Sequence, residues 1–333
     1  MITDTKTSSS VSRYRPLLVR GLGTAALLGL LFWLVDIEQT ASALSALSTR
    51  TILLVLATSI VSWMIAIIKW KILLWKIPAR EITRFHFIGM LYNQILPGQI
   101  AGEAVKAIRL AKGREDVSRV AASVLVDRLT GLVGLGIVAG AGLLMSSLHV
   151  AQLRMIGGLI FASTLLFTVL LFASRVPWLT NVAKRMVARM EPWTNAIGAA
   201  ARAFHRFLDA WQSYVRNPWL VIASIVLGIL FQATGALSVK LLANGLGIEI
   251  SLADCAWILG IVSVAILLPI SLGGLGVREL GFVAILGLIG VAPAQALSLA
   301  VACSAITLLG ALIGLIIELL QMYLGAKASR EAR

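Results

Sequence analysis

Glu103, Lys106 and Arg109 stand three residues apart. On a helix that spacing makes neighbours of Glu103 and Lys106, with Arg109 aligned less directly. Leu96-Pro97-Gly98, just before them, breaks a helix. A second charged pair, Asp127-Arg128, interrupts an apolar run, and a third group comprises Gly273, Gly274, Gly276, Arg278 and Glu279. These types suit phosphate recognition. A guanidinium such as that of Arg278 can clasp phosphate through two hydrogen bonds. A short helix starting near Gly98–Gly102 would aim its N–H groups at an anion. The Glu–Lys pair could equally serve only to hold its segment shut, and both readings stay open. Adjacent residues on a helix point about 100° apart, so Asp127 and Arg128 need other partners. For Asp127 a base such as Lys106 or Arg109 is expected, and for Arg128 either Glu103 or a lipid phosphate. A purely structural salt-bridge network is the alternative. Lys69 and Lys71 read as snorkelling anchors. Trp63, Trp70 and Trp75 read as interface and packing residues.

The elements that carry these residues are apolar. Of 333 residues 59% are hydrophobic and 13% charged, with mean hydropathy +0.93. A soluble domain carries about a quarter charged residues. The chain therefore reads as an all-α polytopic membrane protein, and the lack of period-two alternation argues against a β-barrel. Full spans are expected at 17–35, 51–68, 119–147, 155–174, 219–242 and 294–323. Two further apolar segments are broken, 85–102 at Pro97 and 253–290 at Pro269, giving six spans, or eight if the second segment counts as two. The net charge of +14 gathers beside the apolar runs. That follows the positive-inside rule and leaves no separate basic domain for nucleic acid. The alternation of basic loops puts both termini in the cytoplasm, makes 85–102 re-entrant from the cytoplasmic side, and has 253–290 start and end outside. Residues 175–217 form a basic amphipathic segment, read either as an anchor or as a surface collecting anionic lipid. Residues 1–16 read as a disordered cytoplasmic N-terminus, 17–324 as one transmembrane domain, and 325–333 as a cytoplasmic tail.

The first broken segment has an echo. Leu96-Pro97 recurs as Leu268-Pro269, Glu103 as Glu279, and Thr130 as Thr307. Residues 51–147 and 219–323 then form two halves, each a span, a break and a span, of opposite orientation by the charge map. Chance likeness between apolar segments is the alternative.

Catalysis finds no foothold. The sequence has no HExxH, no GxSxG with a histidine partner and no Asp-rich metal motif. Cys255, Cys303, His86, His149 and His205 form no metal or redox motif, so no cofactor or metal is expected.

"NQILPGQIAGEAVKAIRL", then "SVLVDRLTGL", then "LPISLGGLGVRE" together resemble the flippase-like transmembrane family related to the lysylphosphatidylglycerol synthase membrane domain. The resemblance covers roughly residues 15–325. It implies a bacterial inner-membrane protein with re-entrant elements that moves lipids between leaflets. It carries a role to Asn93, Pro97, Gly102, Glu103, Lys106 and Arg109, to Asp127, Arg128 and Gly131, and to Pro269, Gly273, Gly274, Gly276, Arg278 and Glu279. Bifunctional members join this domain to a soluble aminoacyl-transferase domain. The chain ends at Arg333, so aminoacylation is not expected of it. The expected partners are membrane lipids, anionic or phosphate-bearing, with a homo-oligomer or an envelope-enzyme partner as further candidates. A scaffold supporting a cell-envelope glycosyltransferase or lipid-synthesis enzyme, and an intramembrane lipid-modifying enzyme, are the competing functions.

Overall fold

A computed structural model describes residues 24–31, 35–96, 99–112, 114, 116–146, 195–267 and 270–331, with isolated positions between 155 and 185. The expected disordered N-terminus, Pro97, Pro269, and most of the spans 17–35 and 155–174 lie outside the described residues. Every element within them is helical. After the helical stretch 24–31 come α1 (Ile37–Ser45), α2 (Thr49–Leu73), α3 (Ala79–Ile95), α4 (Gln99–Ala111), α5 (Val117–Met145), α6 (Asn195–Val215), α7 (Pro218–Gly245), α8 (Leu252–Leu267), α9 (Val277–Gly287) and α10 (Pro293–Glu331).

Short polar side chains start several of these helices by accepting from orphan N–H groups in the first turn. Asp36 accepts from Glu38 and Gln39, Ser48 from Thr51, Asp116 from Arg119, and Asn217 from Leu220, with Pro218 following as the first residue of α7. Among the described residues, four helices are long and apolar enough to cross a bilayer: α2, α5, α7 and α10 as far as Leu324. Four of the six expected spans are therefore present as such helices. Helix α1 falls where a loop was expected, and α10 runs on through most of the expected tail. Helices α8 and α9, of 16 and 11 residues, are each shorter than the roughly 20 residues a crossing needs.

The first broken segment folds as a helical hairpin, α3 against α4. Near its tip the Gly102 N–H donates to Asn93 Oδ1 at 3.1 Å. At its base Arg114 Nη2 meets Glu81 Oε2 at 2.6 Å. A Cβ on Gly102 would lie 2.4 Å from the Gly89 carbonyl oxygen, so only glycine lets the arms approach this closely. In the second segment, Gly273, Gly274 and Gly276 all take positive φ, at 60°, 80° and 82°. The backbone there reverses into α9 through conformations L-residues avoid. This loop abuts the hairpin, since a Cβ on Gly273 would strike Gln94. Thr24 Oγ1 supports it by accepting from the Leu272 N–H.

The packing has a regular plan. Helix α2 lies on α7, α3 on both α4 and α10, α8 on both α9 and α5, and α4 and α9 on α5 and α10 respectively. Exchanging α2, α3, α4 and α5 for α7, α8, α9 and α10 turns this set of contacts into itself. One contact departs from the plan: α5 crosses α7 closely, whereas α10 touches α2 only slightly. The α2–α7 seam is bonded by hydroxyl pairs, Thr58 with Ser238 at 2.8 Å and Ser62 with Thr234 at 2.7 Å. Outward faces remain apolar, with Leu53, Met64, Leu230, Leu312 and Leu320 exposed. Helix α6 is the exception. It buries Trp211, Tyr214 and Val215 against Leu73, Ala122 and Val126. The Tyr214 hydroxyl donates to the Leu73 carbonyl at 2.9 Å, and burial pushes its phenol pKa up, so it stays a donor.

At the α5–α7 crossing a Cβ on Gly134 would come within 2.6 Å of the Gly228 backbone. Gly134→Val should therefore lower stability by about 1–3 kcal/mol or more through overpacking. Gly287→Ala, with open space around it, should leave it unchanged. Thermal unfolding of the two variants in detergent micelles checks this.

Candidate functional site

Helices α2, α3, α4 and α5 converge on a cluster of five charges. Lys69 comes from the last turns of α2, Glu103 and Lys106 from α4, and Asp127 and Arg128 from α5. Glu103 is the hub. Its Oε2 lies 2.5 Å from Lys106 Nζ and its Oε1 3.0 Å from Arg128 Nη2. The Glu103–Lys106 and Glu103–Arg128 contacts match the expected pairs. The Lys106 ammonium also sits over the buried Trp70 ring, 4.3 Å from its centroid, a cation–π contact. Trp70 in turn donates from Nε1 to Ser123 Oγ at 3.2 Å.

Asp127 pairs with neither Lys106 nor Arg109. Its partner is Lys69, whose Nζ lies 3.1 Å from Oδ1 and also donates to the Asp127 backbone carbonyl. Lys69 is therefore no snorkelling anchor, being only 5% exposed. The apolar interior around it makes an unpaired ammonium untenable, and Asp127 is the carboxylate within reach. Gly131, one turn beyond Asp127, keeps that ammonium's path clear. Lys71 does fit the anchor reading: it is half-buried and donates to the Trp75 carbonyl at the helix end.

Arg109 turns away from the cluster. Its Nη1 contacts Glu318 Oε1 and Oε2 at 2.6 and 2.5 Å, and its Nη2 donates to the Tyr92 hydroxyl at 2.9 Å. It thereby fastens both hairpin arms to α10. Asn93 and Gly102 form the hairpin's own clasp and do not line the cluster's cavity. Sequence reasoning missed Glu318. Its signal was an acidic residue inside the apolar run "LIIELLQ", where an ionisable group needs a partner.

The cluster walls a chamber of about 180 Å³, lined by Lys69, Glu103, Lys106, Asp127, Arg128 and His86. Beside it lies a larger chamber of about 370 Å³, and Ala66, His86 and Phe231 line both. The larger one is apolar with scattered hydroxyls, including Ser59, Ser62, Ser263 and Thr307, and it holds Arg278. Arg278 donates to Ser304 Oγ at 3.1 Å and to Thr307 Oγ1 at 3.4 Å. Glu279 accepts from the Gly276 N–H at 2.6 Å, capping α9, and from Ser304. Gly273 and Gly274 shape the preceding turn. The structure thus gathers Glu103, Lys106, Asp127 and Arg128 in one chamber and sets Arg278 in its neighbour. His86, the polar residue among the three that line both, was not singled out by the sequence. Its only signal was an imidazole in the otherwise apolar stretch "FHFIGM". Among the described residues no group of histidine, cysteine or carboxylate side chains could hold a metal ion.

Apolar spanning helices around a buried polar interior define a polytopic α-helical membrane protein. More particularly, the chain belongs to the family described as the lysylphosphatidylglycerol synthase TM region, whose model matches residues 17–314. No curated protein matches it. Membership supports a lipid-related role in a membrane.

Removing one half of a buried pair leaves the other charge uncompensated. Lys69→Met should lower stability by about 3–5 kcal/mol, and Lys69→Met combined with Asp127→Asn should recover much of that loss. Unfolding of both variants in detergent, compared with the parent, decides it.

Proposed function

We propose that this protein moves a phosphate-bearing lipid between the leaflets of the bacterial inner membrane. The observation that carries this reading is the charged chamber opening beside a larger, mostly apolar chamber that holds a second cation, Arg278. The phosphate sits with Lys106 and Arg128, then with Arg278, while the acyl chains stay in the bilayer. Glu103 and Asp127 neutralise the cations when no headgroup is present and exchange partners as it passes. The lipid leaves chemically unchanged, driven by its own gradient or by a coupled ion.

The exchange-invariant packing supports an inverted repeat, with α3–α4 and α8–α9 as opposed re-entrant elements. Basic loops put both termini in the cytoplasm. The basic helix α6 lies at the inner surface, where it can gather anionic lipid.

Reconstitution into vesicles carrying a headgroup-labelled phospholipid, with a membrane-impermeant quencher, measures the exchange. Arg128→Ala and Glu103→Gln should each slow it about tenfold or more, because a hydrogen bond to a charged group is worth about 1.5–3 kcal/mol. Variants as fast as the parent would place the site elsewhere. A labelled lipid recovered in altered chemical form would replace transport with catalysis.

A further inference from the structure

Two pairs of spanning helices flank the interior, and they are closed to different degrees. Helix α5 crosses α7 backbone on backbone. A Cβ on Gly134 would lie 2.6 Å from the Gly228 carbonyl carbon, and one on Gly228 3.0 Å from the Thr130 carbonyl oxygen. Helices α10 and α2, by contrast, scarcely meet. Gly310 holds in α10 the place of Gly134 in α5, at the same offset that relates Glu103 to Glu279. Among the described residues, what faces Gly310 is side chain: the Met90 thioether and the edge of Trp63. An unbranched methionine can swing aside, whereas backbone packed on backbone cannot.

The chamber sizes follow this difference. Asp127 and Arg128 of α5, with Gly228 and Phe231 of α7, line the smaller chamber of about 180 Å³, beside the tight crossing. Ser62 and Trp63 of α2, with Ile306 and Thr307 of α10, line the larger one of about 370 Å³, between the helices that stand apart. The α2–α7 seam joins the two pairs and obeys the same exchange. Thr58 and Ser62 recur as Thr234 and Ser238, again at that one offset. Thr58 bonds Ser238 and Ser62 bonds Thr234, so the exchange turns one bond into the other. A pivot bonded in this way serves equally whichever pair is shut, and two packings of similar energy can share it.

We infer, resting on the transport reading above, that α2–α10 and α5–α7 are two lateral gates, one shut while the other admits a lipid headgroup. In the arrangement described, α5–α7 is shut and α2–α10 is ajar. The headgroup passes between the bilayer and the larger chamber at α2–α10, beside Met90 and Trp63, and its acyl chains stay outside. In the other arrangement α10 closes on α2 at Gly310, α5 lifts from α7 at Gly134, and the smaller chamber opens to the bilayer. The α2–α7 hydroxyl pairs persist through the change.

Spin labels on exposed positions measure both gates in the full-length protein, reconstituted in phospholipid vesicles. Met64→Cys with Leu308→Cys spans α2–α10, and Ile137→Cys with Leu230→Cys spans α5–α7. Cys255→Ala and Cys303→Ala remove the natural thiols. Double electron–electron resonance should give two distances for each pair. Gly134→Val props α5 off α7, so it should raise the population with a short α2–α10 and a long α5–α7 distance several-fold. Gly310→Leu places a side chain between α10 and α2. It should deplete that population and slow lipid exchange about tenfold. One fixed distance for each pair in the parent, or two gates that widen together in the variants, overturns the inference. The parent's distances decide even where a variant fails to fold. Opposed gates without lipid exchange would sink the transport reading alone. Exchange with both gates fixed would sink only this one.

Discussion

A carboxylate buried among apolar helices is tolerable only when cations come to it. Glu103 is met twice, by Lys106 on its own helix and by Arg128 on α5. The double contact ties the returning arm of the hairpin to a spanning helix. The same cluster also lines the smaller chamber. Lys69 and Asp127 extend the cluster to α2, so three elements are held at one place by charge rather than by shape. Binding and folding therefore draw on the same residues.

The hairpin is fastened three further times, and none of those fastenings uses the chamber. Asn93 clasps its tip, Arg114 and Glu81 its base, and Arg109 with Glu318 its outer flank. The residues sorted by the sequence into one charged face thus divide by task. Those that look inward line the cavity, and those that look outward lock the hairpin to α10. The second broken segment uses different means for a similar end. Three glycines at positive φ turn the chain, and a glutamate caps the helix that follows.

What the sequence made legible follows from the range of each interaction. The break between Ile95 and Gln99, the i,i+3 pair of Glu103 and Lys106, and the long apolar helices are local or compositional features, and such features can be read along a chain. The Glu103–Arg128 bond was within reach because its partners sit on consecutive helices joined by one short turn. Lys69 and Asp127 are 58 residues apart, and Arg109 and Glu318 are 209 apart. No spacing rule spans such distances, so the lysine at the end of a span passed for a surface anchor. Helix α1 was missed for another reason. Its nine residues are weakly apolar and follow a predicted span, and only the Asp36 cap marks their start.

Arg278 and Glu279 are neighbours of opposite charge, yet Ser304 stands between them, accepting from the one and donating to the other. A hydroxyl in that position acts as a spacer. It relays polarisation between two side chains that their helix points about 100° apart, and it helps fix the guanidinium where it lines the larger chamber. Removing that hydroxyl would leave Arg278 and Glu279 each short of a partner, and the far chamber would lose the fixed aim of its cation without losing a single charged residue.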